Sequence, residues 1–150
     1  MTAPRAMLEY TVTAERVDAQ GSVARCKSAS VPLDTALAGR ADAFNPAELL
    51  LAALSACIIK GIERVAPMLR FEVRGVAVRV HGVRQDVPPR LASITYEITI
   101  DTDESDQRLE LLHANVRKYG TVFNTVAPGT DLQGTLGRAA RVASPPDSVT

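Results

Sequence analysis

Four residues of this 150-residue chain carry the side chains best suited to covalent or proton chemistry near neutral pH: Cys26, Cys57, His81 and His113. A cysteine acts as its thiolate, which attacks electrophiles and climbs the oxidation ladder through a sulfenic acid. Cys57 is the leading candidate because it lies in a long apolar segment with Lys60 one helical turn further on, a cation within reach of the sulfur. Cys, His and carboxylates are not closely grouped anywhere, so no zinc site and no cofactor is expected. His113 falls on an apolar stripe and reads as a hydrogen-bonded core or interface histidine. His81 has no evident partner, and neither is assigned a catalytic role.

The element that must position Cys57 begins at Asn45-Pro46-Ala47-Glu48. Asn45 can accept from the first free amides, Pro46 sits where a missing N–H costs nothing, and Glu48 is placed to reach back as a capping-box carboxylate. From there to Met68 the charges are Glu48, Lys60, Glu63 and Arg64 alone. A helix so apolar is expected to be buried on all sides. The uncharged run from Leu49 to Ile59 is about half of the roughly 20 residues a bilayer core requires, so a membrane span is not expected. Pro67 closes or bends the helix near its end.

Around this helix the pattern is one of strands. Leu8, Tyr10, Val12 and Ala14 alternate with polar or small residues, and a turn at Asp18-Ala19-Gln20-Gly21 leads into Val23 to Ser30, which predicts a hairpin. A linker runs from Pro32 to Phe44. Phe71 to Val83 reads as a long strand whose phase changes at Gly75, predicting a bulge there. Ile94, Tyr96, Ile98 and Ile100 alternate cleanly in the next strand, expected to be the antiparallel neighbour. Ser105 is a candidate N-cap for a helix with the stripe Leu109, Leu112, His113 and Val116, ending near Tyr119-Gly120. A short turn or helix through Asn124 and a last strand within Thr130 to Val142 complete an α+β order.

Length predicts a single domain over residues 1–142, with residues 143–150 a flexible C-terminal tail. Lys plus Arg and Asp plus Glu both number 17, and no sustained basic block is present, which argues against nucleic acid as a partner. The first residues lack the apolar stretch of a signal peptide, so a cytoplasmic setting with reduced thiols is expected, and the two cysteines are not read as a structural staple. One sheet and one amphipathic helix from a single chain would leave part of the central helix wet. A homodimer sharing its central helices is the expected solution.

The start Asn45-Pro46-Ala47-Glu48-Leu49-Leu50, a cysteine eleven positions after Pro46, and the segment Lys118-Tyr119-Gly120-Thr121-Val122-Phe123-Asn124-Thr125-Val126 together resemble the OsmC/Ohr family of small hydroperoxide-reducing proteins, over about Tyr10 to Leu136. The resemblance implies an OsmC-like fold, with antiparallel sheets wrapped around buried central helices in an intertwined homodimer. It also implies two equivalent interface sites. Cys57 matches the attacking cysteine, which forms a sulfenic acid with an organic hydroperoxide. The second cysteine, which would capture that acid as a disulfide, normally opens a Cys-Pro-Val segment. Gly120-Thr121-Val122 stands there instead. The Ohr-type carboxylate falls at Ala47, whereas Glu48 matches that of the wider OsmC-like branch. The Ohr-type arginine falls at Ala19, leaving Arg40 as the nearest counterpart of the OsmC-type arginine and Arg25 as a weaker substitute.

Two functions remain open from this resemblance. One is thiol-dependent reduction of organic hydroperoxides through Cys57, supported by Glu48 and Arg40, with an external thiol such as a dithiol reductant as resolver. The other is a non-enzymatic homodimer that binds a hydrophobic small molecule in its interface pocket. The plainer alternative for Cys57 itself is a small hydrophobe packed with Leu50, Ala53, Leu54 and Gly61. Cys26 is either a strand cysteine without a redox task or, if the first hairpin packs over the central helix, an unconventional resolving thiol.

Overall fold

The computed structural model describes residue 3 and residues 5–140, so the expected tail at 143–150 lies outside the described residues. The chain divides into two compact units, Met1–Leu49 and Leu50–Thr150.

In the first unit a three-stranded antiparallel sheet, β1 (Thr13–Asp18), β2 (Gly21–Cys26) and β3 (Ala29–Leu33), is ordered β1-β2-β3. Asp18 accepts from the Gln20 amide at 2.7 Å and closes the expected turn. The strand starts later than the apolar alternation suggests. β2 is only six residues long and turns back after Cys26, so the ladder from the Asp18 turn reaches Thr13 opposite Arg25 and then ends. Leu8 and Tyr10, 77% and 80% exposed, have the right pattern and no strand to pair with in this sheet. After β3, the buried Asp34 carboxylate accepts from the amides of Ala36 and Arg40.

Helix α1 (Pro46–Met68) begins with the reciprocal box expected: Asn45 Oδ1 accepts from the Glu48 amide at 2.8 Å, and Glu48 Oε1 accepts from the Asn45 amide at 3.0 Å. It ends as the Phe71 amide bonds to the Ala66 carbonyl, with Arg70 in the left-handed region.

In the second unit, β4 (Gly75–Gln85) and β5 (Arg90–Asp101) form a long antiparallel ladder, and β6 (Asp131–Arg138) joins the far side of β5 in parallel, giving the order β4-β5-β6. The irregularity lies between Val83 and Arg84, not at Gly75. Gly75 is where β4 starts, because Arg74 ties its amide to the Asp101 carbonyl and its guanidinium to Glu72, Asp101 and Asp103. Ile94, Tyr96, Ile98 and Ile100 are buried as their alternation predicts.

Helix α2 (Asp106–Tyr119) starts at Ser105, whose Oγ accepts from the Arg108 amide, and α3 (Thr121–Val126) follows at once. One core joins Leu54, Ile58 and Ile62 of α1 to the β5 isoleucines and to Leu109, Leu112 and Val116 of α2. Each such side chain contributes about 1.5–3 kcal/mol on burial.

The expectation that α1 is covered on every side is corrected for the single chain. Leu54, Ile58, Ile62, Val65 and Ala66 form the buried face, while Leu50 and Ile59 are 41% and 37% exposed. One sheet and α2 supply cover for one face only.

Candidate functional site

Cys57 is a free, half-buried thiol in the middle of α1. What it meets is the corner between α2 and α3. A Cβ built on Gly120 would stand 3.2 Å from Cys57 Sγ, 3.0 Å from Phe123 Cβ and 3.3 Å from the Val116 carbonyl oxygen. Gly120 has φ −75° and ψ 118°, a backbone open to any residue, so glycine is required here for close approach and not for conformation. One turn further on, Gly61 lies in van der Waals range of Val116 in the same way. The sulfur therefore points at a position where the missing side chain of Gly120 leaves room for it. Of the apolar neighbours expected along its own helix, Leu54 is buried whereas Leu50 and Ala53 face outward.

Behind the corner stands an aromatic wall. Phe123 of α3 meets Tyr96 of β5 edge to face, with ring centroids 6.0 Å apart, and the Arg117 guanidinium lies 5.7 Å from the Phe123 ring centre. The Tyr96 hydroxyl lies 2.6 Å from His113 Nε2. The Tyr96 ring occupies the place that a side chain at Gly134 of β6, its register partner, would need. Burial pushes the Tyr96 phenol up, and its hydroxyl and the His113 imidazole share this hydrogen bond. Burial, then the neighbouring Arg117 charge, hold the His113 imidazole below its ordinary pKa.

The other two expected site residues lie in the first unit. Arg40 is gripped by Asp42 through two bonds of 2.8 Å, Nε to Oδ1 and Nη2 to Oδ2. That pair holds the Asp42 carboxyl below its usual range. It lines an open cleft of about 710 Å³ together with Asp18, Gly21, Ser22 and Ser30. Glu48 is exposed and engaged in its capping box. Cys26 is a free, half-buried thiol at the end of β2, and Lys60 is exposed. Within the second unit Cys57 is thus brought to Gly120, a position the sequence marked for a missing thiol and not for a contact.

Tyr96 was legible as a core residue, and His113 as a histidine that needs a partner, but nothing local joined them. Gly134, an isolated glycine in a strand pattern, was the available sign of close approach. Among the described residues there is no His, Cys, Asp and Glu cluster able to hold a metal, and no helix long and apolar enough to cross a membrane.

The family model described as OsmC-like protein matches residues 39–133. The chain belongs to the OsmC-like family. No curated protein matches it. An OsmC-like protein from Mycoplasma pneumoniae superposes with a TM-score of 0.81 at 20% identity, over 89% of this OsmC-like chain and 99% of that one. The organic hydroperoxide resistance protein OsmC, also described as a predicted redox protein, from Legionella pneumophila gives 0.67 at 17% identity, over 87% and 99%. The organic hydroperoxide resistance protein OhrB of Bacillus subtilis gives 0.66 at 17% identity, over 88% and 100%. At these identities the likeness establishes the α+β OsmC fold.

Proposed function

We propose that this OsmC-like protein reduces organic hydroperoxides through Cys57, as a homodimer in a reducing cytoplasm, with an external dithiol as resolver. The observation that carries the reading is the free Cys57 sulfur facing the space that the missing side chain of Gly120 leaves, in a fold shared with two proteins named for organic hydroperoxide resistance. The Cys57 thiolate attacks one peroxide oxygen. The S–O bond forms as the O–O bond breaks, and the departing alkoxide takes a proton to leave as an alcohol. Gly120 offers no second sulfur, so one thiol of the external dithiol attacks the sulfenic sulfur and water leaves. The second thiol then releases Cys57 and carries away the disulfide, which balances the two electrons delivered to the peroxide.

Arg40 and Glu48 are the charged residues assigned to support this cycle. Each is already engaged, Arg40 by Asp42 and Glu48 by the Asn45 amide, so service to the thiolate would require Arg40 to leave its carboxylate. The exposed apolar residues Leu50 and Ile59 on α1 support the homodimer.

A second reading is a homodimer that binds a hydrophobic small molecule without turnover. The absence of a thiol at position 120 favours it. Intact mass spectrometry of wild type and Cys57→Ser, after stoichiometric cumene hydroperoxide with dimedone present, separates the two. A single dimedone adduct that vanishes in Cys57→Ser, with hydroperoxide consumed when dihydrolipoamide is supplied, is the expected result. Labelling of Cys57 only after unfolding would overturn the enzyme and favour the binding module.

A further inference from the structure

We propose that the Tyr96–His113 hydrogen bond is the positioning device that holds the wall around Cys57, and so sets how readily that sulfur meets a reagent. This deepens the reading of Cys57 as the reacting thiol and rests on it. The argument is one of connectivity. The sulfur faces the corner at Gly120, where an added Cβ would stand 3.2 Å from it, and that corner is the junction of two helices. Tyr96 reaches both of them. Its hydroxyl bonds to His113 on α2 at 2.6 Å, and its ring edge meets Phe123 on α3 at 6.0 Å between centroids.

The ring occupies the space over Gly134 of β6 that a side chain there would need, and its hydroxyl bond to His113 holds it in that orientation. Its planes are nearly perpendicular to both partners, 88° to His113 and 79° to Phe123. Loss of the hydroxyl bond frees α2 from the sheet at one point and lets the Tyr96 ring turn, which removes the support of Phe123. The corner then opens at Gly120, next to Phe123 Cβ and the sulfur. Neither Tyr96 nor His113 is placed by the structure in contact with Cys57, so both are positioning residues and not catalytic ones.

The test uses full-length Cys26→Ser protein, which leaves Cys57 as the thiol to be read, with 4,4′-dithiodipyridine as the probe. Tyr96→Phe and His113→Leu are expected to label about tenfold faster than the parent, the shift in local opening that loss of one part-buried hydrogen bond produces. His113→Gln, whose side-chain amide can pair with the tyrosine hydroxyl as donor or acceptor, is expected to restore the parental rate. Ile98→Val weakens the core without altering the pair and is expected to leave the rate unchanged. Parental rates in Tyr96→Phe and His113→Leu would overturn the proposal, as would equal acceleration in all four variants. If Tyr96→Phe does not fold, the contrast between His113→Leu and His113→Gln decides alone. Failure of the peroxidase reading shows separately, as absent hydroperoxide consumption by the parent, because labelling needs no turnover.

Discussion

A Cβ built on Gly120 stands 3.2 Å from the Cys57 sulfur, near the distance of about 3.0 Å that separates a Cβ from the far sulfur of a disulfide. A side chain there would also meet Phe123 Cβ at 3.0 Å and the Val116 carbonyl at 3.3 Å, so only one that gains a bond to the sulfur has a gain to set against the crowding.

Gly120→Cys should therefore form an intramolecular disulfide with Cys57 on mild oxidation, read as the loss of both thiols and two hydrogens by intact mass. Gly120→Ala should instead lose about 1–3 kcal/mol of stability, because its methyl meets Phe123 Cβ and the Val116 carbonyl with no bond to relieve the contact. Urea denaturation measures that loss, and a stability equal to the parent would show that the corner yields.

Glu48 has a structural duty that can be separated from any chemical one. Asn45→Ala should cost about 1 kcal/mol through the lost cap. Glu48→Gln keeps a side-chain oxygen for the Asn45 amide and removes the charge, so its melting temperature should stay near wild type. A fall in hydroperoxide turnover at that unchanged melting temperature is the expected sign of a role for the carboxylate, and unchanged turnover would confine Glu48 to the cap.

Gly134 should be among the least replaceable positions in the second unit. Gly134→Ala drives a methyl into the Tyr96 ring and should destabilise by about 1–3 kcal/mol or more. The smaller ring-free side chain of Tyr96→Leu should recover part of that loss, so that the double variant is destabilised by less than the sum of the two single ones in thermal melts.

His113 makes stability depend on acid. Its folded pKa lies below the ordinary 6.5, through burial first and Arg117 second, with the Tyr96 hydroxyl facing it from β5. Just below pH 6.5 the unfolded chain takes up the proton that the folded chain refuses, so stability rises with pH through that window and is lost as pH falls from 6.5 towards the folded value. In His113→Gln this part of the acid loss should disappear, checked by urea midpoints across pH 5–7.

What the sequence made legible was whatever depends on neighbours a few residues away. The Asn45–Glu48 box and the Ser105 cap are local hydrogen bonds, and the β5 alternation records a strand with one buried face. Leu8 to Val12 show where this stops: alternation reports which side chains suit a strand, while pairing depends on the length of β2 and its turn at Cys26. Gly75 was read as a bulge because a phase change looks the same whether a strand kinks or merely begins. The contact of Cys57 with Gly120 joins residues 63 positions apart in the numbering, and no local pattern encodes it. Arg40 and Asp42, two residues apart, could have been read as a pair, although their bidentate geometry could not.

The two ends of the second unit are built from different forces. Arg74, Arg108 and Arg138 fasten the segments around Glu72, Asp101, Glu104 and Asp106 through exposed or part-exposed ion pairs. Dissolved ions screen such pairs, whereas packing of a tyrosine on a phenylalanine beside a glycine corner is largely indifferent to them. A rise in ionic strength should thus soften the loops before β4 and α2 while the packing around Cys57 keeps its shape, so the labelling rate of the thiol should change little with added salt.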